Sequence, residues 1–535
     1  MKLLSIKLLG DTSFRSLAQG FEIKFSSKLS EHIQPKCIIG LNGSGKSNLL
    51  ELLSEIFFYI EEYLMQVEKN TLLEKKDFDF ELEYLLPLSK VSFLLQLGFE
   101  KIDKYIQVKI RKENSGYPVF SIKRYESNKP YIVQTERLAS FLPSKIIGYS
   151  SGMNELISNP YLKMNFQYFK DYEESLKNNF TYHFDTSRLF FMSYESNNLI
   201  VVANFLLAES KKLKIFHQEL KIDSLNSFRI KIRFQDYDNK VILVPDDIGK
   251  DIEKLKSCAT IYHDQGIGNK REIVMDFYVD AMLKIAFENH FISAFELFKS
   301  FYRLDLLNIH LVPKSIRNQI LKSSGSLNIS QIIPSAPSKK LFDFEYIKLN
   351  KENTFEPVLY ENLSDGEHQF LQIFGSLSML NDEGNLFLLD EPETHFNPNW
   401  RSKMISIINN LLNEQESTVK NQEIILTTHS PFILSDSKKE NIFKFKKENG
   451  NVKYESFENS EIKTYGTSIS DLLEMFFEKS ESIGAMSYEE LQEIISNIKT
   501  IENYNEAKKK LSKFGDSIEK FDAYNFLNQK KMELE

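Results

Sequence analysis

Gly40-Leu41-Asn42-Gly43-Ser44-Gly45-Lys46-Ser47 follows the short apolar run Cys37-Ile38-Ile39 and precedes Leu49 to Ile60, which carries an apolar helical stripe. The octet fits the phosphate-loop pattern G-x-x-x-x-G-K-[ST] at every constrained position. Glycines let the backbone turn tightly and bring its N–H groups against phosphate oxygens. Lys46 supplies a point charge for the β- and γ-phosphates, and Ser47 a hydroxyl for Mg²⁺. A loop between a strand and a helix N-terminus is also where an anion is favoured. The bland alternative, a glycine-rich turn, would not require the lysine and the hydroxyl residue in succession.

A second run, Leu386-Phe387-Leu388-Leu389, is wholly apolar, as a buried parallel strand should be. It ends in Asp390 and Glu391 before Pro392. Asp390 at the strand tip suits a Mg²⁺ ligand, and Glu391 can orient and deprotonate an attacking water. An acidic turn stopped by proline would look the same in isolation. A third apolar run, Ile424 to Leu426, leads through Thr427 and Thr428 to His429. A lone histidine is most often a packed or surface residue. Between Glu391 and His429, however, there is room for one helix (Asn399 to Leu412) and one parallel strand, a right-handed crossover. That would bring His429 to the γ-phosphate.

With Leu363-Ser364-Asp365-Gly366-Glu367 added, the set resembles the ABC-type ATPases, specifically their SMC-like branch. The resemblance implies an α/β P-loop ATPase head of two lobes, with ATP and Mg²⁺ as cofactors and ATP hydrolysis as the activity. Lys46, Glu391 and His429 would be catalytic, and Ser47 and Asp390 would hold the metal. Asn42, Gly43, Ser44, Gly45, Lys46, Ser47 and Asn48 would bind the nucleotide in one protomer. Ser364 and Gly366 would contact the γ-phosphate bound by the opposite protomer, so a homodimer or a higher even oligomer is implied. Met1 to Ile6 and Phe14-Arg15-Ser16-Leu17 are similar to the opening of SMC-like heads, which places Arg15 near the phosphates. Glu391 to Pro398 resembles the same region of the overcoming-lysogenisation-type ATPases, with Asn397 and its neighbours crossing the dimer seam.

Tyr149 to Leu156, Asp390 to His395 and Thr427 to Phe432 look like the stand-alone ATPases of bacterial anti-phage defence loci, the restriction-system-associated and PtuA-like, Septu- or retron-linked ATPases. That likeness implies a separate nuclease subunit, with an HNH enzyme among the options, and nucleic acid (DNA or retron msDNA) as a further partner. Two departures from the pattern stand out. The family's Q-loop glutamine has only Gln96 and Gln107 as candidates, and no segment keeps an a/d heptad over several heptads. Long coiled-coil arms are therefore not expected. Direct clamping of DNA by a repair or recombination ATPase, and an oligomeric scaffold binding ATP structurally, are the rival functions.

Composition describes an ordinary globular chain, with 42% hydrophobic and 27% charged residues in 535. The 43 phenylalanines point to large apolar interfaces between lobes or subunits. Two cysteines, Cys37 and Cys258, make neither a disulfide framework nor a metal cluster, and Met1 leads directly into strand-like sequence. A cytoplasmic setting is expected. Apolar runs such as Ile200 to Ala208 are too short to span a bilayer, so no membrane partner is expected. A net charge of −8 does not mark a nucleic-acid binder. Lys211-Lys212-Leu213-Lys214 and Lys508-Lys509-Lys510 read first as solvated helix faces.

The expected division is a first ATPase lobe over 1–195, a mainly helical insertion over 196–335, a second lobe over 336–450 and a helical tail over 451–535. Strands are expected around a turn at Leu9-Gly10-Asp11, over Asp77–Leu86, and in a hairpin around Asn114-Ser115-Gly116. Helix is expected over Asn197–Leu213 and through a block from Ile273 to Leu321. That block carries Phe277, Tyr278, Phe287, Phe291, Phe295, Phe298 and Phe301, which at helical spacing fit a core or subunit interface better than a cofactor box. Phe228–Phe234 and Phe342–Leu349 read as strands, and Leu327–Lys340 as a loop. Residues 440–535 show no acidic triad on strand ends, so no nuclease site is expected in this chain.

Overall fold

Alternating apolar residues build the sheets, and the chain opens with three short examples. In the computed structural model, residues 1–26, 33–69, 78–97, 104–114, 116–124, 130–151, 155–177, 187–235, 239–323, 340–380, 384–413 and 422–534 are described. The first elements are β1 (Lys2–Leu9), β2 (Glu22–Lys24), β3 (Lys36–Ile39) and α1 (Lys46–Lys69). The expected turn follows β1, with Gly10 at φ 59°, and β1 pairs antiparallel with β2. Strands β4 (Asp79–Pro87), β5 (Tyr105–Lys112), β6 (Val119–Arg124) and β7 (Tyr131–Ile132) extend this sheet in the order β2-β1-β4-β5-β6-β7. This is the antiparallel layer that the alternation predicts; Asp77, Ser115 and Tyr125 lie outside the described residues.

The chain continues through β8 (Ile146–Ser150), α2 (Asn159–Lys177), β9 (Leu189–Phe191), α3 (Ser196–Leu207), α4 (Ser210–Leu220) and β10 (Ile222–Arg233). Then come α5 (Asp246–Cys258), β11 (Ile261–Gln265), β12 (Glu272–Tyr278), α6 (Ala281–His290), α7 (Ala294–Leu306) and α8 (Lys314–Lys322). The second half holds β13 (Phe342–Lys351), β14 (Val358–Leu359), α9 (Asp365–Met379), β15 (Leu386–Asp390), α10 (Pro398–Asn413), β16 (Glu423–Thr427) and α11 (Pro431–Ser435). It closes with β17 (Ile442–Glu448), β18 (Asn451–Ser456), α12 (Ile469–Phe477), α13 (Ala485–Ser496), α14 (Ile501–Leu511) and α15 (Ile518–Leu534).

A seven-stranded sheet of order β18-β17-β3-β16-β15-β8-β9 forms the centre. All its neighbours pair parallel except the edge hairpin β17–β18. Its strands are apolar on both faces because both are covered. Cys37, Ile39, Phe387, Leu389, Ile424 and Leu426 enter one core; Ile38, Leu386, Leu388 and Ile425 enter the other. The first core is shared with the insertion and α9, and the second with the antiparallel layer and α1. The α/β head with two lobes is therefore present, and the longest described helix, α1, has 24 residues. No described helix is long and apolar enough to cross a membrane.

Four expectations need correction. Ile273–Tyr278 is strand β12, not helix. Ile273, Met275 and Phe277 alternate into the core, β12 pairs along β10, and Phe277 stacks on Phe228 at 4.3 Å. Phe287, Phe298 and Phe301 are core residues on helices as expected, Phe291 is a core residue just past the end of α6 with an extended backbone, and Tyr278 is exposed. The helix over Asn197–Leu213 breaks at Ala208, whose backbone is extended. Most of α3 is buried, while α4 has an exposed lysine-rich face, and one straight cylinder cannot do both. Hairpin β17–β18 carries the second lobe to Ser456, past 450. Helices still dominate the described residues of 196–335, but they rest on a sheet, β11-β12-β10-β13-β14, whose last two strands lie beyond 335. The loop expected over Leu327–Lys340 lies, up to residue 339, outside the described residues.

Gly148 in β8 shows how tightly the central sheet is packed. A Cβ there would sit 2.6 to 2.8 Å from the ring and hydroxyl of Tyr161, a buried side chain of α2 that hydrogen-bonds Ser54 of α1 at 3.1 Å. Neither neighbour can retreat, so Gly148→Ala should cost about 1–3 kcal/mol of unfolding free energy, measurable by chemical denaturation.

Candidate nucleotide site

The site forms where neighbouring strands of the central sheet end together. β3 runs into the phosphate loop, β15 ends in Asp390, β16 ends in Thr427, and β8 ends in Ser150. The parallel register sets Asp390 beside both Thr427 and Ser150, and Thr427 beside Ile38. Sheets of this kind present their ligand sites at these carboxyl ends.

Gly40, Gly43 and Gly45 take φ values of 147°, 77° and 93°, conformations that side chains rarely adopt. A Cβ at Gly40 would lie 2.3 Å from the Phe445 carbonyl oxygen, and one at Gly45 would lie 2.7 Å from Val452 and 2.9 Å from Ser16. The β17–β18 hairpin thus presses the loop into shape from behind. Lys46 is buried and its ammonium donates to the carbonyls of Gly40 and Leu41 at 3.0 and 3.3 Å. Burial lowers its pKa, opposed by the carboxylates of Glu391, Asp390 and Glu393. The buried Ser44 hydroxyl has no hydrogen-bond partner among the described residues. Asn42 and Gly43 are exposed at the loop tip.

Ser47 donates its hydroxyl to Asp390 Oδ1 at 2.9 Å, and Thr427 donates to the same oxygen at 2.6 Å. Burial raises the Asp390 pKa, and these two hydroxyls oppose the shift. The Thr427 oxygen also accepts from the Glu391 backbone N–H at 3.0 Å. Glu391 has φ 48°, left-handed and costly for a residue with a Cβ, so this bond helps hold a strained backbone. Its carboxylate lies 3.2 Å from His429 Nε2, close but poorly aligned for a hydrogen bond. The imidazole beside it keeps the Glu391 carboxyl below the usual range. Both side chains are about one-third exposed, at 33% and 38%.

Behind this pair lies an acid that the motifs did not single out. Glu393 is buried, and its Oε1 accepts from the Thr428 hydroxyl, while its Oε2 has no partner among the described residues. Burial pushes its carboxyl up to about 7. Glu393 links the loop after β15 to the loop after β16, and so sets Glu391 against His429. Thr427 and Thr428 read as mere spacers before His429; the parallel register Asp390↔Thr427 is the signal that gives them roles.

The remaining expected residues lie around this centre. Asn48 donates to the Ser16 hydroxyl, which brings the 14–17 turn against the phosphate loop. Arg15 points its guanidinium at Glu51 of α1, with contacts of 2.8 and 3.1 Å, rather than into the loop. Ser364 caps α9 in a reciprocal capping box with Glu367, and Lys351 at the end of β13 pairs with Glu367. Among the described residues, no hydrogen bond or ion pair joins Ser364 or Gly366 to the phosphate loop of the same chain. Asn397 caps α10 through the Trp400 N–H at 2.9 Å. Gln107 belongs to β5 in the antiparallel sheet and pairs with Glu83 at 2.8 Å, which removes it from the Q-loop candidates. Gln96 lies in a short helical stretch after β4. The residue at the tip of β8, next to Asp390, is Ser150.

Residues 258–435 match a family model described as "AAA domain, putative AbiEii toxin, Type IV TA system". The match takes in the signature, Asp390, Glu391 and His429, and leaves out the phosphate loop. Among solved structures the chain is similar to an SMC head bound to the C-terminal winged-helix domain of ScpA, at 12% identity over 86% of this chain and 100% of that one, TM-score 0.34. It is also similar to the SMC head domain from Thermotoga maritima, at 10% identity over 85% and 99%, TM-score 0.32. A third is an SMC head with an extended coiled coil bound to the C-terminal domain of ScpA, from Pyrococcus furiosus, at 13% identity over 89% and 99%, TM-score 0.32.

A buried acid with a raised pKa holds its proton in the folded state after the unfolded chain has lost it. Its contribution is therefore present below the unfolded pKa of 4.5 and is lost as pH rises through about 7. Glu393→Gln keeps the acceptor for Thr428 and removes the titration. Relative to wild type, the variant should gain about 3 kcal/mol of unfolding free energy between about pH 4.5 and about pH 8, read from denaturation curves.

Proposed function

We propose that this chain is an ATPase of the ABC/SMC-like type, that two copies close around ATP and Mg²⁺, and that the cycle controls a separate effector, a nuclease, in defence against phage. The observation that carries the ATPase reading is the Ser47–Asp390–Thr427 cluster, with Glu391 and His429 beside it and the buried Lys46 in the loop that leads into Ser47. A phosphate chain suits the loop: the loop is open at Gly43, the Lys46 ammonium hydrogen-bonds only carbonyls among the described residues, and the buried Ser44 hydroxyl has no partner among them. Ser47 and Asp390 are the oxygen donors a magnesium ion takes. That ion would neutralise charge on the β- and γ-phosphates.

The work of this chain's own residues follows from their placement. Lys46 turns from the Gly40 and Leu41 carbonyls to the phosphates. Glu391, kept ionised by His429, receives a proton from the attacking water at its carboxylate. His429 meets the γ-phosphate edge and holds Glu391 in line. Ser364, at the exposed N-terminus of α9, makes no bond to the phosphate loop of its own chain among the described residues, and a helix N-terminus whose capping serine is exposed is suited to an anion brought by a second copy, with the Ser364 hydroxyl turning from Glu367 to meet it. Asn42, Gly43, Gly45 and Asn48 shape or brace the nucleotide's cradle, and Gly366 keeps α9 close to the loop after β15. Arg15 would reach the phosphates only by leaving Glu51.

The effector role is supported by the family description, which names a toxin of a type IV toxin–antitoxin system rather than a transporter. Likeness to the Septu- and retron-linked ATPases adds that the effector is a nuclease on another chain, with nucleic acid as a further partner. Cys37 and Cys258 are both buried free thiols, in keeping with a cytoplasmic setting.

Lys46→Ala should lose ATP binding in a filter or calorimetric assay. Glu391→Gln should still bind ATP, slow turnover by about a hundredfold or more, and accumulate as an ATP-dependent dimer in sedimentation. Wild-type turnover by Glu391→Gln would remove the catalytic assignment. A nuclease encoded beside this chain should be held inactive by the wild type with ATP; one that cuts equally with and without the ATPase would remove the effector role.

A further inference from the structure

Gln369 lies one turn into α9, almost fully buried, and spends both ends of its amide on other elements. Its Nε2 donates to the Tyr149 hydroxyl at 2.7 Å, and its Oε1 accepts from the His395 backbone N–H at 2.9 Å. Tyr149 is the residue of β8 set beside Leu389, next to the Ser150–Asp390 pair. His395 belongs to the loop that begins at Glu391, and α9 also lies close against its carbonyl. A Cβ on Gly366 would come within 2.8 Å of the His395 carbonyl oxygen, so that glycine lets α9 lie directly on the loop. His395 is thus bonded at its N–H by the sixth residue, and closely approached at its carbonyl by the third, of the segment that starts at Ser364.

The loop in turn reaches the backbone of Asp390 and Glu391 through short bonds. Thr394 donates its hydroxyl to the Glu391 carbonyl at 2.8 Å and its N–H at 3.3 Å to the same oxygen. Ser151, just after β8, meets the Thr394 hydroxyl at 2.9 Å and donates its N–H to the Asp390 carbonyl at 3.2 Å. Any movement of the N-terminus of α9 therefore pulls on the peptide that carries Glu391.

We infer that Gln369 is a positioning residue that couples the two pockets of the closed dimer: docking of Ser364 on the partner's phosphate sets Glu391 in the same chain. The inference rests on the shared-pocket reading above. Each protomer serves its partner's nucleotide with α9 and its own with Glu391, so the Gln369–His395 grip makes occupancy of one pocket felt at the other. An amide is suited to this task because it is at once donor and acceptor.

The test uses the full-length chain and steady-state ATP hydrolysis, fitted for kcat, KM and Hill coefficient. Gln369→Met fills the same space without either bond; it should leave KM within about twofold, lower kcat about tenfold or more, and bring the Hill coefficient from above 1 to about 1. Gln369→Glu, which can accept from both the His395 N–H and the Tyr149 hydroxyl, should recover most of kcat and the cooperativity. Tyr149→Phe removes only the β8 arm and should fall between; it carries the test if Gln369→Met fails to fold. A wild-type Hill coefficient of 1, or wild-type kcat and cooperativity in both Gln369→Met and Tyr149→Phe, overturns the coupling. Failure of the shared pocket reads out separately, as absence of an ATP-dependent dimer in Glu391→Gln. If that dimer forms and the Gln369 variant is unaltered, only the coupling falls.

Discussion

One carboxylate oxygen, Asp390 Oδ1, accepts hydroxyl bonds from Ser47 and Thr427 and so ties together residues hundreds of positions apart in the chain. A buried carboxylate is costly unless it is hydrogen-bonded. The parallel register meets that condition: it sets the end of β16 beside the end of β15 and points the start of α1 at both. Everything else at the site follows from this arrangement. Thr427 can hold the strained Glu391 backbone only because it already faces Asp390, and Thr428 can reach Glu393 only because it is the next residue along.

Packing on the two faces of the central sheet supports this register. Alternate residues of β3, β15 and β16 enter different cores, so slipping any strand by one residue would exchange their environments and move Asp390 off Thr427. The aromatic content is concentrated around these faces. Phe370, Phe374, Phe396 and Trp400 pack together where α9 meets the start of α10, and Phe190 packs on Phe298 and Tyr302 under the sheet edge. The surplus of phenylalanine is accounted for largely by junctions within one chain.

Much of the centre was legible in the sequence because its residue types are dictated by backbone geometry and ligand chemistry. A glycine at φ 147° whose added Cβ would lie 2.3 Å from a carbonyl oxygen tolerates no replacement, and an acid at the tip of an apolar strand announces itself. Glu393 and Gln369 were not legible, because a buried polar side chain is defined by its partners, which come from Thr428, Tyr149 and His395. Arg15 was found as a residue but not as an interaction; the competing attraction is Glu51, a charge on a helix whose facing side the sequence does not announce. The strand at Ile273–Tyr278 was mistaken for helix because a short apolar aromatic run suits either period, and only pairing with β10 decides between them.

Strand β13 belongs to two neighbourhoods at once. Along its length it completes the sheet begun by β10 and β12 of the insertion, and its final residue, Lys351, holds Glu367 in the cap of α9. The insertion is therefore no detachable appendage. Removing it would strip β13 of its main hydrogen-bonding edge and leave an open, apolar ribbon leading straight to the capping serine. Added chain is best accommodated at the far rim, beyond β11, where every residue of the last strand is already exposed.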